Sequence, residues 1–294
     1  MKETPSSGNH LIDVALWVWF ALTALAVAYV AYNQFKAGPD QKKHSLAMKA
    51  MRWGWVLITL YTGIFALIAY WFLHHASTGE AREPPLWEQT VESTIHCVAG
   101  DATGILFATV VTLRLGLPMS LEVMIEYVAG FAVGLFVFQA LCMMPTAGGR
   151  YWRVVKSTLL AETLSMNVLM AGMVPVMVIL MSRDTSAMDP SSVRFWGTMS
   201  VALMVGTVMT YPVNEWLVRC GLKHGTGCEA QARLRHRAST LSKLAATCLT
   251  LGLLGTGVAL AARYGDFSMR SGENMGRTIF GPRATRAVEI LPLR

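Results

Sequence analysis

Glu162, Met166, Met170, Met173, Met177 and Met181 lie along one side of a single membrane-length apolar stretch. Their steps of four, four, three, four and four residues keep them within an arc of about 100° on a helix. A lipid-facing side would normally be Leu, Ile and Val. A stripe of thioethers headed by a carboxylate points either to soft-ligand chemistry or to a helix interface filled by flexible methionines. A second concentration of reactive types lies upstream, in Glu92, Ser93, His96, Cys97, Gly100, Asp101, Thr103 and Gly104. Glu92 with His96, and Cys97 with Asp101, are i,i+4 pairs. Charges near the centre of a bilayer cost about 2.5–3.5 kcal/mol or more, so ionisable groups in such segments are functional candidates before any loop residue.

The elements that must position them follow from composition. The chain has 294 residues, of which 53% are hydrophobic and 15% charged, against roughly 25% charged in soluble domains. Apolar runs at about 11–32, 53–73, 91–113, 121–143, 156–181, 195–218 and 241–262 approach the ~20 residues that cross a bilayer. Only helices and closed barrels satisfy backbone polar groups in lipid, and the short alternating segments of barrel strands are absent. The expected fold is therefore all-α, a polytopic transmembrane bundle of about seven helices. Its expected units are a membrane hairpin over 1–76, a four-helix domain over 88–225, a basic loop with a last helix over 226–264, and a basic, partly disordered tail over 265–294. Trp and Tyr near several span ends match interfacial belts. The expected location is a bacterial inner membrane, with the lipid bilayer as surroundings and a membrane protein or a second copy as partner.

The net charge of +7 sits in loops and tail, where it fits membrane flanks and anionic headgroups. No aromatic–basic interleaving points to nucleic acid. Five cysteines, Cys97, Cys142, Cys220, Cys228 and Cys248, form no tight pairs and argue against a disulfide framework. Orientation is in conflict. The basic loops 33–52, 144–156 and 219–243 all claim the cytoplasm, yet seven spans put the first opposite the others. Either one span is re-entrant or one loop breaks the rule.

Antiparallel threading alone compares depths. One leaflet collects Glu92, His96, Cys97 and Asp101, then Cys142, Met143 and Met144, then Glu162, Ser165, Met166 and Asn167, then Tyr211, Asn214 and Glu215, with His74 and His75 closing the second span. Thiolate, thioether and imidazole favour Cu(I) and similar soft ions. The expected metal ligands are thus His96, Cys97, Asp101, Cys142, Met143, Met144, Glu162 and Met166, with Met170, Met173, Met177, Met181, Glu92 and Asn214 as a path. Haem would want a second deep histidine beside His96, and only His74 and His75 offer one. Glu92, Asp101 and Glu162 also suit a proton relay. Glu122 and Glu126 start the fourth span, where they suit the helix dipole. Gly100 and Gly104, and Gly130 and Gly134, have the small-xxx-small spacing of close helix contacts. Pro175 and Pro212 should kink their helices.

The stretch Ser93-Thr94-Ile95-His96-Cys97-Val98-Ala99-Gly100-Asp101 resembles a signature of a bacterial and archaeal membrane family known only as a domain of unknown function, number 4396. So do Leu164-Ser165-Met166-Asn167, Tyr211-Pro212-Val213-Asn214-Glu215-Trp216-Leu217-Val218 and Gly221-Leu222-Lys223-His224-Gly225. The resemblance spans about 53–225 and implies a four-helix membrane domain behind a helical hairpin, with no activity attached. Glu215 departs from the family pattern, which has Trp there.

The expected function is transport of a small cation, a soft metal such as Cu(I) or a proton. The alternatives are a non-enzymatic assembly factor or metal chaperone and a membrane redox or haem protein. No cofactor is expected beyond such an ion. An enzyme is not expected, because no nucleophile–base–orienter arrangement stands out.

Overall fold

A computed structural model describes residues 7–36, 46–76, 84–140, 150–223 and 238–269. Cys142, Met143, Met144 and tail residues 270–294 lie outside them. The described elements are all helical: α1 (Ser7–Phe35), α2 (Leu46–Thr62), α3 (Ile64–Ala76), α4 (Leu86–Leu115), α5 (Met119–Ala132), α6 (Tyr151–Arg183), α7 (Val193–Arg219) and α8 (Thr240–Tyr264). A π-helical segment, Val133–Gln139, continues α5. Among the described residues, six helices are long and apolar enough to cross a bilayer: α1, α4, α5 with its π extension, α6, α7 and α8. The chain is a multi-pass membrane protein.

The second expected span is not one crossing. Gly63 adopts φ 60°, a left-handed conformation that glycine supplies without a Cβ penalty, and the helix reverses there. The rings of Trp55 on α2 and Tyr70 on α3 meet at 5.1 Å. They are 15 residues apart in sequence, which a straight helix would place more than about 20 Å apart. Tyr70 also reaches Gln34 near the end of α1, while Gly63 packs on Trp19 and Thr23 near the middle of α1. A Cβ at Gly63 would strike both, so close approach as well as φ fixes glycine at the apex.

This re-entrant hairpin resolves the charge conflict. With α2 and α3 entering and leaving through one face, the ends of α1, α3, α5 and α7 and the starts of α2, α4, α6 and α8 all share it. Lys36, then Arg150, Arg153 and Lys156, then Arg219 and Lys243 therefore flank a single face, the one the positive-inside rule assigns to the cytoplasm. We term it the basic face. An impermeant thiol reagent is expected to reach Asp189→Cys from outside and Ser239→Cys only from inside, read peptide by peptide. The reverse pattern would overturn this topology.

α6 is the hub. Within its most apolar stretch 78% of residues are buried, against 11% in α1 and 17% in α8, which form the lipid-facing rim. α8 runs parallel to α6, with Gly257 against Ala171 and Asn167 near Thr250. On the far face Arg194 of α7 clips α1 to the α6–α7 connection, through Asp13 at 2.7 Å and Asp184 at 2.8 Å. The tail begins docked: the Met119 and Ser120 amides donate to the carbonyls of Met269 and Phe267. Residues 265–269, where the expected tail opens, are thus held against the start of α5.

Candidate cation site

The site is built where α4 and α5 approach most closely. A Cβ at Gly104 would strike the Ala129 carbonyl and Gly130 Cα, and one at Gly100 would meet Phe138. This contact carries Asp101 to the π segment. A Cβ at Gly134 would occupy the space held by Asp101 Oδ1 and Glu162 Oε1. The small-xxx-small pairs thus do more than pack helices. They make the room in which two carboxyl groups meet.

Cys97 and Asp101 come from α4 and Glu162 from α6. The Cys97 thiol lies 3.5 Å from both Asp101 Oδ2 and Glu162 Oε2. One potential ligand atom from each of the three residues lies within 4.8 Å of the others, and all three residues are buried. Gln139, the last residue of the π segment, donates its amide to Glu162 Oε2 at 2.9 Å. Widened turns of this kind are frequent at functional sites. Asp101 Oδ1 and Glu162 Oε1 face each other beside Gly134, and no other hydrogen-bond donor among the described residues reaches them.

On the basic-face side, a polar network joins this cluster. Lys223 Nζ donates to Ser165 Oγ at 2.7 Å and to Asn214 Oδ1 at 3.0 Å, and lies 4.0 Å from Glu162 Oε2. Asn214 donates in turn to Thr94 Oγ1 at 3.1 Å. Lys223 follows α7 by only four residues, yet its side chain is buried. The turn that aims it is a helix C-terminal motif: Gly221 takes φ 67°, and the Leu222 amide donates to Leu217 O at 2.9 Å.

Towards the far face, the Tyr127 hydroxyl donates to Asn167 Oδ1 at 2.7 Å, and Asn167 donates to Thr250, tying α5, α6 and α8 together. Ile105 and Met166 fill the space beside Gly130. Beyond them are Glu122 and Glu126, 1% and 0% exposed. Glu122 Oε1 and both Glu126 oxygens are without a hydrogen-bond partner among the described residues. These residues therefore face the interior of the bundle, with Glu122 in the first turn of α5, as expected from its position.

The expected convergence is only partly met. Cys97, Asp101 and Glu162 come together, with Asn214 in their network. His96 does not join them: its ring stacks edge-on against Phe138 at 5.8 Å, and its buried Nδ1 has no hydrogen-bond partner among the described residues. His74, one of the two imidazoles expected to be available for haem, lies against Tyr70 at 3.9 Å, and the His75 side chain is outside the described residues. Glu92 is half-buried one helical turn before His96, outside the three-residue cluster. Met166, Met170, Met173, Met177 and Met181 are fully buried in the main apolar core, with Ile105, Phe195 and Leu203. The stripe faces protein, as its composition required, and its neighbours are apolar. Met173→Leu conserves volume and is expected to cost less than about 1.5 kcal/mol and to leave cation binding unchanged. A loss of binding in that variant would put the thioethers back in the site. Both proline-bearing helices, α6 with Pro175 and α7 with Pro212, run unbroken past the proline.

Sequence reasoning missed Gln139 and underrated Lys223. Gln139 gave no signal, because nothing in Val133–Gln139 announces a π segment. For Lys223 the signal was Gly221, a glycine directly after a helix, which folds the chain back over the helix end.

No curated protein and no solved structure gives a significant match to this chain. A family model described as "Domain of unknown function (DUF4396)" matches residues 86–223. The match opens at the first residue of α4 and closes on Lys223, so it encloses every residue of the cluster and its basic-face network. Helices α4 to α7, with the lysine turn that follows them, are the part of the chain that matches this family model.

Proposed function

We propose that this chain binds a small cation at Cys97, Asp101 and Glu162 and passes it across a cell membrane. The observation that carries the reading is the buried three-residue cluster, with two carboxyl oxygens that no other donor among the described residues reaches, inside a bilayer-spanning bundle. Such orphaned polar atoms are costly and need a role. A thiol and two carboxyl groups form a mixed hard and soft donor set, suited to a borderline divalent ion such as Zn²⁺. Cu(I) is less favoured than the sequence implied, because neither His96 nor the core methionines stand in the cluster. Protons can use the same carboxyls, and the buried Glu126 and Glu122 extend that chemistry towards the far face.

Passage requires the apolar plug of Ile105 and Met166 to yield, as in alternating access around a midplane site. The plug also favours a second reading, a protein that holds the ion for a membrane partner without conducting it. Proteoliposomes containing a Zn²⁺-sensitive dye separate the two. The expected result is Zn²⁺ uptake by the native chain that falls at least about tenfold in Cys97→Ser. Binding without uptake would select the holding role, and the absence of both would overturn the proposal.

A further inference from the structure

A lysine at the end of a membrane helix normally extends outward, placing its ammonium among the headgroups. Lys223 points the other way. Its Nζ is held by Ser165 and Asn214 and stands 4.0 Å from Glu162, with the side chain 4% exposed. Burying an ammonium is expensive unless it is paired and hydrogen-bonded. Two hydrogen-bond acceptors and a carboxyl group meet that requirement here, and the left-handed Gly221 supplies the backbone turn. The Cys97 thiol and the Asp101 carboxyl lie within the same electrostatic surroundings.

We propose that Lys223 is a tethered counter-cation, occupying the charge position of the site when no ion is bound and leaving it when one arrives. The inference rests on the cation-binding reading above and adds how the empty site is neutralised. A divalent ion among Cys97, Asp101 and Glu162 would sit a few ångströms from the ammonium, where like charges repel strongly in a poorly polarisable interior. Binding is then competitive with the protein's own side chain. The lysine sets affinity and keeps the vacated site from standing as an uncompensated buried negative charge. Its chain lies directly at the basic face, so the ammonium has a short way out to water and headgroups.

Removing the competitor should tighten binding. Calorimetric titration of detergent-purified full-length chain with Zn²⁺ is expected to show Lys223→Met binding at least about tenfold tighter than the native protein. Lys223→Arg, which keeps the charge, should stay close to native. Unchanged or weaker affinity in Lys223→Met would overturn the counter-cation role while leaving the site intact. If no variant or native protein shows binding that Cys97→Ser removes, the site itself fails and the inference with it. A second measurement needs no variant. An amine-acylating reagent should spare Lys223 in the ion-free protein and modify it once Zn²⁺ is added, read by mass spectrometry. Equal modification in both states would also overturn the proposal.

Discussion

Glu162→Gln is expected to lower Zn²⁺ affinity by about 100-fold or more, measured by calorimetric titration of the purified chain. Loss of an outer-shell partner alone costs about 10–100-fold in metal affinity, and Glu162 would be a direct ligand. The exchange keeps the side-chain volume, so the effect isolates charge and donor chemistry. Glu162 also anchors the Gln139 amide and neighbours Cys97 and Lys223, so its loss removes the common member of the cluster. Glu215→Gln is the matched control. Glu215 pairs with Arg219 on its own helix, outside the three-residue cluster, and its replacement should leave affinity unchanged. A native-like affinity in Glu162→Gln would remove the carboxylate from the site.

Gly104→Val is expected to destabilise the bundle by about 3 kcal/mol or more. Overpacking a helix interface typically costs about 1–3 kcal/mol when side chains can shift. At Gly104 the obstacle is the Ala129 carbonyl and the Gly130 backbone, which cannot rotate away. The α4–α5 contact must open, and Asp101 leaves the π segment with it. Gly255→Val is the comparison, since nothing lies within 4 Å of a Cβ there. Equal thermal midpoints for the two variants in detergent would show that α4 and α5 do not touch through Gly104. Gly134→Ala separates fold from site. Its added methyl meets carboxyl oxygens and not backbone, so binding should fall much further than stability does.

What the sequence made legible was depth and side, more than neighbours. Residues confined to helices of known length can be placed in one leaflet by counting, and Cys97, Asp101 and Glu162 were. Counting does not say which way a helix turns. His96 adjoins Cys97 in the chain, but successive helical positions are rotated by about 100°, and the His96 ring ends against Phe138. The methionine stripe was correctly read as a face that avoids lipid. Periodicity could not say whether it faced a path or a core, because α6 is surrounded and its neighbours there are apolar. The reversal at Gly63 was hidden for a different reason. One glycine inside an apolar run is ordinary in membrane helices, and only the basic loops hinted that a span must turn back. Glu122 and Glu126 were assigned to a helix start from position alone. Glu122 does open α5, but the burial of both depends on how the helices pack, which position along the chain does not reveal.

The most direct test of the account is a Cd²⁺ titration followed in the ultraviolet, where cadmium bound to thiolate gives a charge-transfer absorption. The native chain should bind one ion per chain with this absorption, and Cys97→Ser should lose it although Cys142, Cys220, Cys228 and Cys248 remain. An absorption that survives in Cys97→Ser, or never forms in the native protein, would contradict a cation site at Cys97, Asp101 and Glu162.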